Sequence, residues 1–130
     1  MNSLLEMKHV AVNFAVYGST VQAVRDISFS IEEGQTVALV GESGCGKSIT
    51  AKSIMGLVKK PGKVMEGSQI IFDGVDVTGY SAKEWKKFRG KECSMIFQDA
   101  LVSLNPTMKI GKQIVRNKHG YLLFYRKILR

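Results

Sequence analysis

The chain has 130 residues, of which 45% are hydrophobic and 23% charged, with a formal net charge of +8. That length allows one domain with its own core but is short for a complete nucleotide hydrolase, and no apolar run approaches the roughly 18 residues that would cross a membrane. The charge would ordinarily suggest a nucleic-acid partner, but residues 1–111 hold thirteen Lys and Arg against eleven Asp and Glu, and the surplus lies in Lys112, Arg116, Lys118, Arg126, Lys127 and Arg130. No nucleic-acid partner is therefore expected.

In chain order, Leu4 to Phe14 alternates loosely and is rich in Val and Leu, and Glu6, Lys8 and His9 interrupt any apolar leader. Tyr17-Gly18-Ser19-Thr20 reads as a turn, and Val24 to Ile31 as a second strand with cleaner alternation. Glu32 to Gln35 forms the next turn, after which Thr36-Val37-Ala38-Leu39-Val40 reads as a buried parallel strand. A helix is expected over 48–57, with Ile54, Leu57 and Val58 on one face. The chain breaks at Lys59-Lys60-Pro61-Gly62-Lys63, forms a strand from Ser68 to Phe72 and turns at Asp73-Gly74. Asp73, with Gly74 and Asp76 close behind it, suits a hairpin and not a metal-binding aspartate. Ser81 and Glu84 form a capping box that opens a short basic helix through Trp85 to Phe88, and Glu92 to Phe97 reads as the last strand. Cys45 and Cys93 have no zinc-ligand spacing and suit a reduced, cytoplasmic setting.

One stretch names a ligand. Gly41-Glu42-Ser43-Gly44-Cys45-Gly46-Lys47-Ser48 fits GxxxxGK[ST], the phosphate-cradling loop, with the expected strand before it and helix after it. Its glycines let successive backbone N–H groups point at phosphate oxygens. Lys47 supplies a point charge for the terminal phosphates, Ser48 a hydroxyl for Mg²⁺, and the helix that begins here, at Ile49 and beyond, its positive end. The binding residues expected for a nucleoside triphosphate are thus Gly41 through Ile49.

Beside this loop, three further stretches resemble the nucleotide-binding subunit of ABC transporters, over roughly residues 4–114. Val24 to Gly34 is similar to that family's approach strand, and Tyr17 stands where such subunits stack an aromatic on adenine; a strand-end residue, partly buried, is the plain alternative. Ser94-Met95-Ile96-Phe97-Gln98-Asp99 resembles the Q-loop, in which Gln98 would contact Mg²⁺ and the attacking water. Ala100 to Met108 resembles the SLNP segment of di- and oligopeptide or nickel importers, with Ala100 where that branch usually has proline. An Asn-Pro turn is its plain reading.

The resemblance implies an α/β fold, a P-loop NTPase core with an antiparallel β subdomain of ABC ATPase type, ending before the helical subdomain. It implies ATP and Mg²⁺ as cofactors, dimers of ATP-binding subunits, transmembrane permease subunits as partners, and a peripheral place at the cytoplasmic face of the membrane. The LSGGQ signature, the Mg²⁺ aspartate strand, the catalytic glutamate and the switch histidine do not occur in this chain. Residues 1–114 read as the N-terminal part of the ATP-binding domain and 115–130 as a divergent basic tail, whose change of composition suggests a truncated or frameshifted reading frame. A non-catalytic nucleotide-binding remnant and another P-loop NTPase are the alternatives.

Overall fold

A computed structural model describes residues 3–98 and 104–113 and divides the chain into two compact units, Met1–Tyr80 and Ser81–Arg130. In the first unit, two long strands, β1 (Ser3–Val16) and β2 (Ser19–Glu32), form a hairpin closed by the expected turn at Tyr17-Gly18. Helix α1 (Lys47–Ile54) follows the glycine-rich loop, and three short strands complete the sheet: β3 (Gly62–Val64), β4 (Gln69–Phe72) and β5 (Val75–Asp76). The sheet is antiparallel in the order β2-β1-β4-β5, with β3 also paired to β1, so β2 is an edge.

The loose alternation of β1 has a structural cause. Met7 pairs with Phe29 and Val10 with Ile27, so β1 spends one extra residue there; Val12 pairs with Val24, so β2 then spends one in return. These two, among four register shifts along the hairpin, compensate each other as β-bulges. Each flips the strand's phase, so that Leu5 and Met7 before the first bulge and Val10 and Val12 after it all reach the core. His9 (φ 50) and Asp26 (φ 61) occupy the left-handed positions, and the His9 Nδ1 lies 2.9 Å from Asp26 Oδ1. Val24, Met55, Ile70 and Val77 complete the buried set of this unit.

Several expectations hold in detail. Asp73 (φ 48) and Gly74 (φ 77) make the two-residue hairpin turn between β4 and β5 that an Asp-Gly pair favours. Helix α1 stops at Ile54, three residues short of the expected end, because Gly56 turns left-handed at φ 58. Its N–H then donates to Ser53 O (3.0 Å) and that of Leu57 to Lys52 O (2.8 Å), a glycine-dependent C-terminal cap. The helix buries Thr50 and Ser53, not the Ile54, Leu57 and Val58 face expected from spacing.

Two expected strands are corrected. Residues 36–40 form no strand: Val37, Leu39 and Val40 are 44%, 50% and 90% exposed. Residues 92–97 form none either, beyond an isolated bridge between Arg89 and Cys93, and Ile96 is 94% exposed. A parallel strand gains its ladder and its burial from neighbours on both sides. Every strand pairing among the described residues that builds the sheet is antiparallel, and none involves either segment.

In the second unit, α2 (Ala82–Phe88) starts as its sequence predicts. The Glu84 N–H donates to Ser81 Oγ at 3.4 Å, while the Ser81 N–H and hydroxyl donate to Glu84 Oε2 at 2.7 and 2.6 Å. Phe88 is buried and meets the Trp85 ring edge to face at 5.4 Å, with the Arg89 guanidinium 5.3 Å from the Trp85 ring.

Candidate functional site: the phosphate loop and its surroundings

The loop between residues 41 and 48 is shaped by glycines that no other residue could replace at the same cost. Gly44 (φ 83) and Gly46 (φ 97) are left-handed, and a Cβ on Gly46 would run into the carbonyl oxygen of Ala23 on β2. A Cβ on Gly41 would lie 2.6 Å from Cys45 Sγ. The loop is thereby curled on itself and held against the sheet edge.

Lys47 folds back across that curl. Its Nζ donates to the carbonyls of Gly41 and Glu42, both at 2.6 Å, with Cys45 Sγ at 3.5 Å. The ammonium thus sits over the loop formed by its own motif. Gly46 caps α1 with no side-chain hydrogen bond, and no acid lies in the first turn. The N–H groups at the start of a helix have no partners within the helix and carry its positive end. Thr50 extends this frame, its N–H and hydroxyl both donating to Gly46 O at 2.8 and 3.0 Å. Ser48 and Ile49 stand in that first turn, Ser48 exposed and Ile49 half-buried, while Ser43 and Glu42 are exposed in the loop. An uncapped helix start without a first-turn acid, with a lysine folded over the loop before it, is chemistry for a polyphosphate.

Around the loop, Gln22 to Arg25 and Ile27 of β2 form a cleft of ≈ 410 Å³ with Gly44, Cys45 and Thr50. No motif marks the β2 residues of this cleft, since the bulge at Asp26 is what arranges them. Tyr17 lies at the tip of the β1–β2 hairpin and is fully exposed, which removes the partly buried strand-end alternative and leaves both ring faces open.

Gln98 is exposed in the second unit, whereas Tyr17 and the whole of Gly41 to Ile49 lie in the first. Ala100 to Ser103 lie outside the described residues. The rest of the SLNP segment is an asparagine-centred turn: Asn105 Oδ1 accepts from the Thr107 N–H and hydroxyl at 3.0 and 2.7 Å, and Gln113 clamps it through the Asn105 N–H (2.9 Å) and carbonyl (3.0 Å). Burial pushes the Cys93 thiol up, an effect the hydrogen bond from the Ser94 backbone partly offsets. Residues 115–130 lie outside the described residues.

A family model for ABC transporters matches residues 24–127. The oligopeptide transport ATP-binding protein OppD of Bacillus subtilis (strain 168) is 50% identical over 111 residues, which are 85% of this chain and 31% of that protein. The dipeptide transport ATP-binding protein DppD of Lactococcus lactis subsp. cremoris (strain MG1363) is 51% identical over 111 residues, 85% of this chain and 32% of that protein. The chain therefore spans about a third of the length of the curated relatives it matches. Among solved structures, the dimeric MJ0796, a bacterial ABC transporter cassette, superposes with a TM-score of 0.70 at 24% identity, over 81% of this chain and 42% of that one. The same cassette in a dimeric post-hydrolysis state bound to ADP and Pi gives a TM-score of 0.63 at 20% identity, over 90% and 54%.

Proposed function

Because the chain belongs to the ABC transporter family, we propose that it is the phosphate-binding part of an ATP-binding subunit whose complete form powers import of peptides. The observation that carries this reading is the curled loop with Lys47 drawn across it, at the start of a helix that lacks both a cap side chain and a first-turn acid. The names of OppD and DppD, relatives at half identity, support the peptide branch; nickel is the other solute suggested by the SLNP resemblance. The ADP-bound cassette supports an adenine nucleotide as ligand.

In this reading the loop N–H groups and the Lys47 ammonium hold the β- and γ-phosphates. Tyr17, with its exposed ring at the hairpin tip, stacks on adenine. Mg²⁺ suits the exposed Ser48 hydroxyl in the first turn of α1, since this ion takes one or two protein oxygens with phosphates and water supplying the rest. When bound it would neutralise phosphate charge, and Ser48 Oγ is the neutral oxygen beside the loop that would hold it. Dimerisation, a permease partner and a peripheral site at the cytoplasmic membrane face belong to the same proposal. No helix among the described residues is long and apolar enough to cross a membrane.

Equilibrium binding of Mg·ATP to the parent and to Lys47→Ala tests the placement. Hydrogen bonds to charged groups contribute about 1.5–3 kcal/mol, so the variant should bind about tenfold to hundredfold more weakly. Equal affinity in the two proteins would sink it.

A further inference from the structure

The second bulge keeps Asp26, like its neighbour Arg25, off the core face. In a regular strand Arg25 and Asp26 would fall on opposite faces, one of them beside the buried Val24 or its neighbours. With the extra residue on β2, Val24 is buried and Ile27 half-buried, while both charged residues are exposed. Asp26 takes the His9 imidazole as its partner at 2.9 Å. Arg25 has no ion pair with an acidic side chain among the described residues. It lines the ≈ 410 Å³ cleft together with Gly44 and Cys45 of the phosphate loop and Thr50 of α1. Loop and strand meet where Gly46 approaches the Ala23 carbonyl, two residues before Arg25.

We infer that Arg25 is a binding residue of the phosphate site, engaging phosphate oxygens of the nucleotide from the β2 side while Lys47 acts from within the loop. The inference rests on the loop being a nucleotide site, as proposed above. Its chemistry is that of a planar guanidinium, whose fork of donors matches phosphate oxygens bidentately and never loses its charge. The setting is short of competing acids. Helix α1 has none in its first turn, and none lines the cleft. Arg25 on the cleft wall, with Lys47 on the adjoining loop 3.5 Å from the lining Cys45 Sγ, adds to a field that draws polyphosphates. The Ala23 approach also means that the loop cannot be displaced from β2 without opening the cleft that Arg25 lines.

Binding of Mg·ATP, adenosine and inorganic tripolyphosphate to the full chain tests this, using the parent, Arg25→Gln, Arg25→Lys and Lys47→Ala, with thermal melting of each. Arg25→Gln should weaken ATP and tripolyphosphate by about tenfold, leave adenosine and the melting temperature unchanged, and be partly rescued in Arg25→Lys. If Arg25→Gln holds tripolyphosphate as tightly as the parent while Lys47→Ala loses it, Arg25 is not part of the site and the loop's role stands. If neither substitution weakens tripolyphosphate, both readings fall. A lowered melting temperature with equal losses for adenosine and tripolyphosphate would mark a structural residue and also overturn the inference.

Discussion

Gly46 carries two constraints that are separable by experiment. Its φ of 97 disfavours any L side chain, and the Ala23 carbonyl occupies the space a Cβ would need. A left-handed backbone alone costs about 1–2 kcal/mol, so Gly46→Ala should lower stability by at least that and loosen the loop from β2. Gly44→Ala, with the same backbone demand but open space around it, should lose only the conformational term; comparable melting temperatures for the two would contradict the close approach. At Tyr17 the prediction concerns affinity alone. Base stacking is worth about 1–3 kcal/mol, so Tyr17→Ala should weaken ATP severalfold or more and leave tripolyphosphate binding intact, because the exposed ring supports no core. The two thiols should also separate. Cys45 is exposed, whereas Cys93 is half-buried and its thiol is pushed up by burial, so a maleimide at neutral pH should label Cys45 first, read by mass spectrometry of proteolytic peptides.

At the scale of elements, α2 shows local chemistry sufficient to specify a structure. Ser81 and Glu84 satisfy each other's backbone donors, and the Ser81 hydroxyl, then its N–H, hold the Glu84 carboxyl below its usual range. The sign follows from linkage: a carboxylate whose folded pKa is depressed favours the folded helix at pH above the ordinary carboxylate range, and that contribution fades as pH falls through the folded value. Amide exchange at the start of α2 should therefore accelerate in acid beyond its intrinsic pH dependence, and Glu84→Gln should flatten that response. A parent and variant with the same pH response would refute the box as its source. The β1–β2 hairpin was legible too, since Tyr17-Gly18 and two alternating runs define it. Its bulges were not, because a one-residue phase slip in Leu5, Met7, Val10 and Val12 looks like imperfect alternation until the partner's slip at Asp26 is seen to compensate it. Residues 36–40 and 92–97 carry strand-like composition, yet composition does not supply a neighbour.

For the molecule as a whole, those two segments have a measurable consequence. Val37, Leu39, Val40, Ile96 and Phe97 are exposed on backbone that no ladder pairs among the described residues, and uncharged apolar segments of this kind invite intermolecular pairing. The purified chain should self-associate with rising concentration, and Val40→Lys should reduce this in light scattering without altering the melting of the hairpin unit; unchanged association would place the sticky surface elsewhere. The sequence by itself determined the family and pointed to the ligand class proposed, because a phosphate loop is a local device whose glycines, lysine and serine fall within eight consecutive residues, and turns and caps are equally local. It also determined the hairpin, the Asp-Gly turn and the capped helix. Tertiary structure alone decided which faces are buried, that α1 packs Thr50 and Ser53 inward, and that the segment before the loop is not a strand here. It alone set Arg25 beside the loop in one cleft and brought His9 to Asp26, seventeen residues away. Those outcomes depend on pairings between distant strands, and a strand's register and burial exist only once its neighbours are in place.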